Sequence, residues 1–251
     1  MAIIIKNKSQ IEGIRKSSRL AAACLQYIEP FVLPGITTAE LDWRLEEFIR
    51  ANGAIPACLG YMGFPKATCI SVNEVICHGV PGDYVLRDGD IVNIDVTTIL
   101  AGYFGDTSTM YVIGEVSEDA QHVIKVAKHC LDIGLREVYP GNRFGNIGYS
   151  IQSYAMLNGC TVVHQFTGHG VGLKFHEDPQ VPFIADKDSG PVMKSGMIFT
   201  IEPMINLGSP DAIISESDKW TASTVDGSLS AQFEHSVLVT EDGHEVLTKV
   251  D

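Results

Sequence analysis

Apolar positions recur at helical spacing through the first fifty residues. Ile11, Ile14, Ala21, Leu25 and Ile28 form one stripe, opened by the capping-box pattern Ser9-Gln10-Ile11-Glu12 and running towards Pro30. After the Pro34-Gly35 turn, Thr37-Thr38-Ala39-Glu40 repeats the capping pattern, and Leu41, Leu45, Phe48 and Ile49 mark a second helix that ends at Asn52-Gly53. Strand-like segments with Gly-Asp and Ala-Gly punctuation follow to about Gly114. A third helix is predicted from about Glu118 to Gly134, and Pro140-Gly141 turns into a fourth that ends at Asn158-Gly159. Strand-like segments complete the chain. No Pro/Ser-rich linker interrupts it, so a single domain over 1–251 is expected.

The order helix, Pro-Gly, helix, strands therefore occurs twice, over about 1–115 and 116–251. Arg87-Asp88-Gly89-Asp90-Ile91-Val92-Asn93-Ile94-Asp95 matches Lys194-Ser195-Gly196-Met197-Ile198-Phe199-Thr200-Ile201-Glu202, both reading basic, x, Gly, x, Ile, apolar, polar, Ile, carboxylate. Upstream, His78-Gly79-Val80 matches His169-Gly170-Val171; downstream, Asp106-Thr107-Ser108 matches Glu234-His235-Ser236. Three elements recurring in order point to internal duplication. Two similar halves related by an approximate two-fold are expected, with a shared site where they meet.

Composition narrows the setting. The chain has 251 residues, 45% of them apolar, and its 18 basic against 31 acidic residues give a net charge of −13. That is enough apolar material for a real core, and the acidity disfavours DNA or another nucleic acid as partner. No apolar run approaches the ~20 residues that span a bilayer, so no membrane association is expected. The start, broken at Lys6, does not read as a signal peptide. Scattered Cys24, Cys58, Cys69, Cys77, Cys130 and Cys160, with no C-x-x-C, fit a reducing compartment. A cytoplasmic protein is the expectation.

The candidate chemistry lies in the acids. Asp95 ends an otherwise apolar run, where an ionised carboxylate is costly unless paired or bound to a cation. A turn near Leu100-Ala101-Gly102 folds this strand back as a hairpin. One register sets Asp95 opposite Asp106; a turn one residue later sets it opposite Ser108, with Asp106 its diagonal neighbour. Either register puts two carboxylates on one face. Their mutual repulsion calls for a divalent cation. Glu202 and Glu234 repeat the pattern, and His169 adds an imidazole. Two Asp, two Glu and one His form a hard donor set suited to Mn, Fe, Co or Zn, and four carboxylates favour a pair of ions, as in two-metal hydrolysis. His122, His129, His164 and His244 fall on expected helix surfaces or strand edges and are assigned no function.

The sequence closely resembles the type I methionine aminopeptidases, in the short bacterial form, over essentially its whole length. The resemblance rests on Pro56-Ala57-Cys58-Leu59-Gly60-Tyr61, on Cys69-Ile70-Ser71-Val72-Asn73-Glu74-Val75-Ile76-Cys77-His78-Gly79-Val80-Pro81 and on the Asp95 and Asp106 strands. In the second half it rests on Thr167-Gly168-His169-Gly170-Val171-Gly172, Phe175-His176-Glu177-Asp178-Pro179, Thr200-Ile201-Glu202-Pro203 and Gln232-Phe233-Glu234-His235. It implies the α/β (α+β) pita-bread fold: two pseudo-symmetric halves, each with two helices packed on an antiparallel sheet, enclosing a dinuclear centre. The implied activity is hydrolytic removal of the initiator methionine from peptides and nascent chains, with a small second residue preferred. The resemblance implies Asp95, Asp106, His169, Glu202 and Glu234 as metal ligands, Asp106 and Glu234 bridging, and Glu202 also handling the proton of the attacking water. His78 and His176 would contact the substrate amide and stabilise the tetrahedral intermediate. Cys58, Tyr61, Phe64, Cys69, Phe175 and Trp220 match the slot for the methionine side chain. Asn73, Val75 and Ser230 resemble a loop that holds one Na or K.

Two departures stand out. The family commonly has Tyr-His-Gly-Tyr-Pro where this chain has Tyr61-Met62-Gly63-Phe64-Pro65, which makes the rim of the slot more apolar. Bacterial relatives carry a basic loop between Glu202 and Trp220 that is implicated in ribosome docking; here Asp211, Glu216 and Asp218 stand against Lys219. Repulsion from RNA should weaken that contact. A monomer is expected. The rival readings are a pita-bread binding protein that has lost catalysis and a proline-specific pita-bread peptidase.

Overall fold

In the computed structural model, which describes residues 2–249, the apolar stripes become α1 (Lys8–Ile28), α2 (Thr38–Ala51), α3 (Glu118–Arg136) and α4 (Phe144–Leu157). Thr37 caps α2 as its spacing predicts, accepting from Glu40 N at 3.1 Å. The first helix starts earlier than Ser9. Asn7 Oδ1 accepts from Gln10 N at 3.0 Å and Gln10 Oε1 accepts from Asn7 N at 2.9 Å, so the reciprocal box closes two residues ahead of the Ser9/Glu12 pattern. Ser9 is then already inside the helix, and Glu12 instead pairs with Arg15.

Between α2 and α3 lie β1 (Ile55–Pro56), β2 (Cys69–Val72), β3 (Val75–Cys77), β4 (Ile91–Leu100) and β5 (Tyr103–Val112). After α4 come β6 (Thr161–Val162), β7 (Gly168–Gly170), β8 (Glu177–Val181), β9 (Ile198–Ile201), β10 (Met204–Asn206), β11 (Ala212–Ile214), β12 (Ala222–Thr224), β13 (Ser230–Gln232), β14 (Glu234–Val239) and β15 (His244–Val246). One large sheet runs β1-β4-β5-β14-β9-β7-β8, with β2 also on β4 and β15 also on β14; smaller sheets are β13-β10-β6 and β11-β12-β3. The strand pairs are antiparallel. The two halves of the chain share the large sheet, and its seam is the β5–β14 pair, with Ser108 opposite Glu234 and Thr107 opposite His235.

The helices cover one face. Leu25, Ile28, Leu41, Leu45 and Ile49 of α1 and α2 pack on Ile70, Val92, Ile94 and Val96. In the second half Val123, Ala127, Leu131, Ile147 and Ile151 of α3 and α4 pack on Val181, Phe199, Ile201 and Val237. Each such side chain, removed from water, contributes about 1.5–3 kcal/mol. Strand alternation then decides what the other face carries. In β4, Val92, Ile94 and Val96 join the helical core, which turns Asn93, Asp95 and Thr97 the opposite way.

The two candidate registers of the β4–β5 hairpin are now separated. The turn is Ala101-Gly102, at φ +51° and +83°, the left-handed pair that suits a tight two-residue hairpin. Asp95 therefore pairs with Ser108 and Thr97 with Asp106, which makes Asp95 and Asp106 diagonal neighbours on one face. The halves are out of step elsewhere. Asn93 pairs with Met110, whereas the matching Thr200 pairs with Ser236 rather than the residue two further on. The two His-Gly motifs also part company. His169-Gly170 forms β7, with Gly170 paired to Phe199 of β9, while Gly79 lies outside β2 and its carbonyl accepts from Ile70 N at 2.9 Å.

Candidate active site

The face of the large sheet away from the helices floors a cavity of about 540 Å³. Asp95 on β4, Asp106 on β5, His169 on β7, Glu202 just past β9 and Glu234 at the start of β14 all line it. So do His78 and His176, and the six slot residues Cys58, Tyr61, Phe64, Cys69, Phe175 and Trp220. The sequence-derived set converges on one cavity apart from Asn73, Val75 and Ser230. Asn73 and Val75 line a separate hollow; Asn73 O accepts from Ser230 N at 3.0 Å, and Ser230 Oγ is buried without a hydrogen-bond partner. His122 and His129 lie on α3 and bond to the backbone oxygens of Asn158 and Lys125.

Side chains two residues away hold the acids in place. Thr97 Oγ1 donates to Asp106 Oδ1 at 2.7 Å. Thr200 Oγ1 donates to Glu202 Oε1 at 2.6 Å and itself accepts from His169 N at 2.9 Å. Gln232 Nε2 reaches Glu202 Oε2 at 3.3 Å. Thr97, Thr200 and Gln232 were not singled out in the sequence. Each stands two residues from an acid of the cluster, and that spacing, on a shared strand for Thr97 and Asp95, is the signal that finds them.

The electrostatics are one-sided. Burial lifts Asp106 to about 7, against the Thr97 hydroxyl and the Thr107 amide. Burial lifts Glu202 to about 8, against the Thr200 hydroxyl and with Asp106 adding to the rise. Asp95 and Glu234 are pushed well above the usual range by burial first and then by Asp106. Among the described residues, no lysine or arginine lines the cavity.

His169 shows what the cluster accommodates. Its Nδ1 lies 3.0 Å from Gly170 O, which places the ring proton there and leaves Nε2 with a bare lone pair. Nε2 faces Asp106 Oδ2 at 3.5 Å and Glu202 Oε1 at 3.6 Å. These would be ion pairs only with a protonated ring, and burial, followed by His176, holds His169 down to about 3. The Nε2 lone pair thus faces two carboxyl oxygens of acids that burial drives to hold protons unless a cation takes their place. Asp95 Oδ1 is buried with no hydrogen-bond partner. Donor atoms of Asp106, His169 and Glu234 lie within 4.8 Å of one another. A cation satisfies all three observations, and the oxygen-rich set is that of a hard divalent ion.

Around the acids the cavity is aromatic. Phe64 meets Trp220 edge to face at 5.2 Å, and Tyr61 lies 4.7 Å from Phe175. Trp220 is set by Asp218, whose Oδ1 accepts from Trp220 N at 2.8 Å. Met62, at φ +47° and 82% exposed, stands at the rim. His176 Nδ1 lies 2.9 Å from Tyr61 Oη. Burial and then His78 hold His176 to about 4, and burial lowers His78. Both rings are therefore neutral at pH 7 and can donate one N–H each.

Comparison with known proteins places these features. The model of metallopeptidase family M24 matches residues 12–241. Methionine aminopeptidase A of Synechocystis sp. is 49% identical over 247 residues, covering 98% of this chain and 97% of that protein. The crystal structure of methionine aminopeptidase from Rickettsia prowazekii superposes with a TM-score of 0.97 at 46% identity, over 99% of this chain and 100% of the other. This bears out the pita-bread architecture. An Xaa-Pro dipeptidase from Bacillus anthracis shares the fold alone, with a TM-score of 0.78 at 24% identity, over 98% of this chain and 62% of that one.

Proposed function

The chain belongs to metallopeptidase family M24, and from that premise we propose how its cavity removes an N-terminal methionine. It is an aminopeptidase that hydrolyses the bond after the first methionine of a peptide or nascent chain, and it binds divalent metal. The observation that carries the reading of the site is the bare His169 Nε2 facing two carboxylate oxygens at the base of an aromatic slot.

In this proposal Asp95, Asp106, His169, Glu202 and Glu234 would hold two divalent ions, Co, Mn, Fe or Zn. Bound there, such ions polarise the scissile carbonyl and acidify a water molecule. The chain supplies the rest. Cys58, Tyr61, Phe64, Cys69, Phe175 and Trp220 receive the unbranched thioether, which sets the first peptide bond over the acids. The Glu202 carboxylate takes up the proton of the attacking water; the hydrogen bond from Thr200 fixes its Oε1 for that purpose. With Tyr61 Oη donating to Nδ1 of His176, the ring proton sits on Nε2 and is available to the oxygen that gains negative charge. His78 offers a second donor from the far side. Asn73, Val75 and Ser230 form a separate seat for Na or K, supported by the unpartnered Ser230 Oγ.

A binding protein that had lost catalysis would be expected to lack part of this donor set, and every member is present. A Met-Ala-Ser peptide assayed with added Mn or Co tests the proposal: methionine is released, and Glu202→Ala abolishes release. No release from any metal-loaded sample would overturn it. We also propose a cytoplasmic monomer, and a contact with the ribosome through the loop between Glu202 and Trp220 that is weakened because Asp211 and Glu216 are exposed there. Strong co-sedimentation with ribosomes at low salt would contradict this.

A further inference from the structure

Lys6 is buried to an extent few lysines are. Its side chain is 1% exposed and its Nζ lies 2.9 Å from Glu177 Oε1, on a side chain 4% exposed. Burial lowers the Lys6 pKa and Glu177 opposes the fall. The backbone is fastened as well: Lys6 N donates to Gly196 O at 2.8 Å. A Cβ on Gly196 would come within 2.7 Å of Ile5 Cγ2 and 3.1 Å of Lys6 O, so the arm before α1 lies flat against the turn that leads into β9.

Glu177 lines the active cavity and follows His176 directly. It pairs with Gly170, the residue after His169, at the point where the β7–β8 register shifts. Its Oε1 also accepts from Leu173 N at 3.2 Å. Glu177 therefore ties both ends of the segment 173–177 together and receives Lys6 from beneath. A buried ion pair is a poor source of stability, because desolvation offsets most of the attraction and an apolar pair of similar volume would do as well. What such a pair does supply is a fixed position.

We propose that Lys6 is a positioning residue: its ion pair with Glu177 fixes the segment that carries His176 against the acid cluster. The proposal rests on the reading of the cavity as the peptidase site. The arm at residues 3–6, remote in sequence from the cluster, thereby becomes part of what sets the geometry of the reaction.

The test compares Lys6→Met, Glu177→Gln and the double variant in three readouts: methionine-release kinetics, melting temperature, and hydrogen exchange of the amides 173–177 in metal-free protein. Lys6→Met is expected to lower kcat by about 10- to 100-fold, the range for a small misplacement of a reacting group, with KM changed far less. Its melting temperature falls because Glu177 is left charged and alone. The double variant removes that charge, so melting temperature recovers towards wild type while kcat stays as low as in the single variant and exchange at 173–177 stays fast. Recovery of kcat together with melting temperature would overturn the proposal, as would a Lys6→Met enzyme with wild-type kcat and exchange. If wild-type protein releases no methionine, the reading of the cavity fails, and the exchange measurement alone still decides whether Lys6 holds the segment.

Discussion

Gly105 sits where the backbone of α1 crosses β5, and replacing it with alanine tests how the acid-bearing strand is held. An added Cβ would lie 2.2 Å from Ser18 N and 2.4 Å from Ser17 C, against about 3.5 Å for an unstrained contact. Both neighbours are backbone atoms of a helix, so helix and strand have to separate by roughly 1 Å. That separation strains the link beside it. Gly105 pairs with Thr98, and Thr98 exchanges buried hydrogen bonds with Ser17: Ser17 Oγ donates to Thr98 O at 3.0 Å and Thr98 Oγ1 donates to Ser17 O at 2.9 Å. Overpacking costs about 1–3 kcal/mol and each of these two bonds is worth about 1 kcal/mol, so Gly105→Ala should lose roughly 3–5 kcal/mol. In a chain of this size that lowers the melting temperature by about 6–20 °C. Because Asp106 is the next residue, metal uptake should fall as well. Gly13→Ala is the comparison on the same helix: its Cβ meets the side chain of Tyr103 rather than backbone, and alanine gains about 1 kcal/mol of helix propensity. Thermal melts by circular dichroism should rank Gly105→Ala well below Gly13→Ala. A Gly105→Ala protein that melts within about 2 °C of wild type and binds metal normally would refute the claim that this contact is tight.

Three further outcomes follow from the site. Thr97→Val removes the donor to Asp106 Oδ1 and should weaken metal binding about 10- to 100-fold, as loss of a supporting hydrogen bond does; an unchanged affinity in a chelator competition would count against it. Chelating the metal should lower the melting temperature. Binding at about 100 times Kd contributes about 2.7 kcal/mol, or roughly 5–10 °C here, and EDTA without effect would contradict the cation assignment. His235 is held at about 4 against an ordinary 6.5, by burial first and then by Lys128 and Lys249. The unfolded chain takes up a proton that the folded one refuses, so His235 costs nothing above pH 6.5 and destabilises progressively as pH falls towards 4, by about 3 kcal/mol in full. His235→Asn should flatten that part of the pH–stability curve, and an identical slope in wild type and variant would remove the assignment.

The sequence by itself determined the local parts. Capping at Thr37, the helical stripes, a turn near Leu100-Ala101-Gly102 and the alternation that turns Asp95 and Asp106 the same way depend on residues within a few positions of one another. The density of matching motifs made the family and its candidate ligands legible as well. Even locally there was a miss, at Asn7, because two overlapping capping patterns compete and the sequence does not say which closes.

Tertiary structure decided the rest. The hairpin register chose between opposed and diagonal acids. The seam that brings Glu234 beside Ser108 joins residues more than a hundred positions apart, and the second half takes a register between β9 and β14 that the repeat does not predict. Only the fold shows that His169 Nδ1–H donates to Gly170 O, that His78 sits apart from β7, and that Lys6 reaches Glu177. The physical reason is the same in each case. Turn and cap preferences are set by neighbours along the chain, whereas the position of a buried charge is set by whichever distant group compensates it.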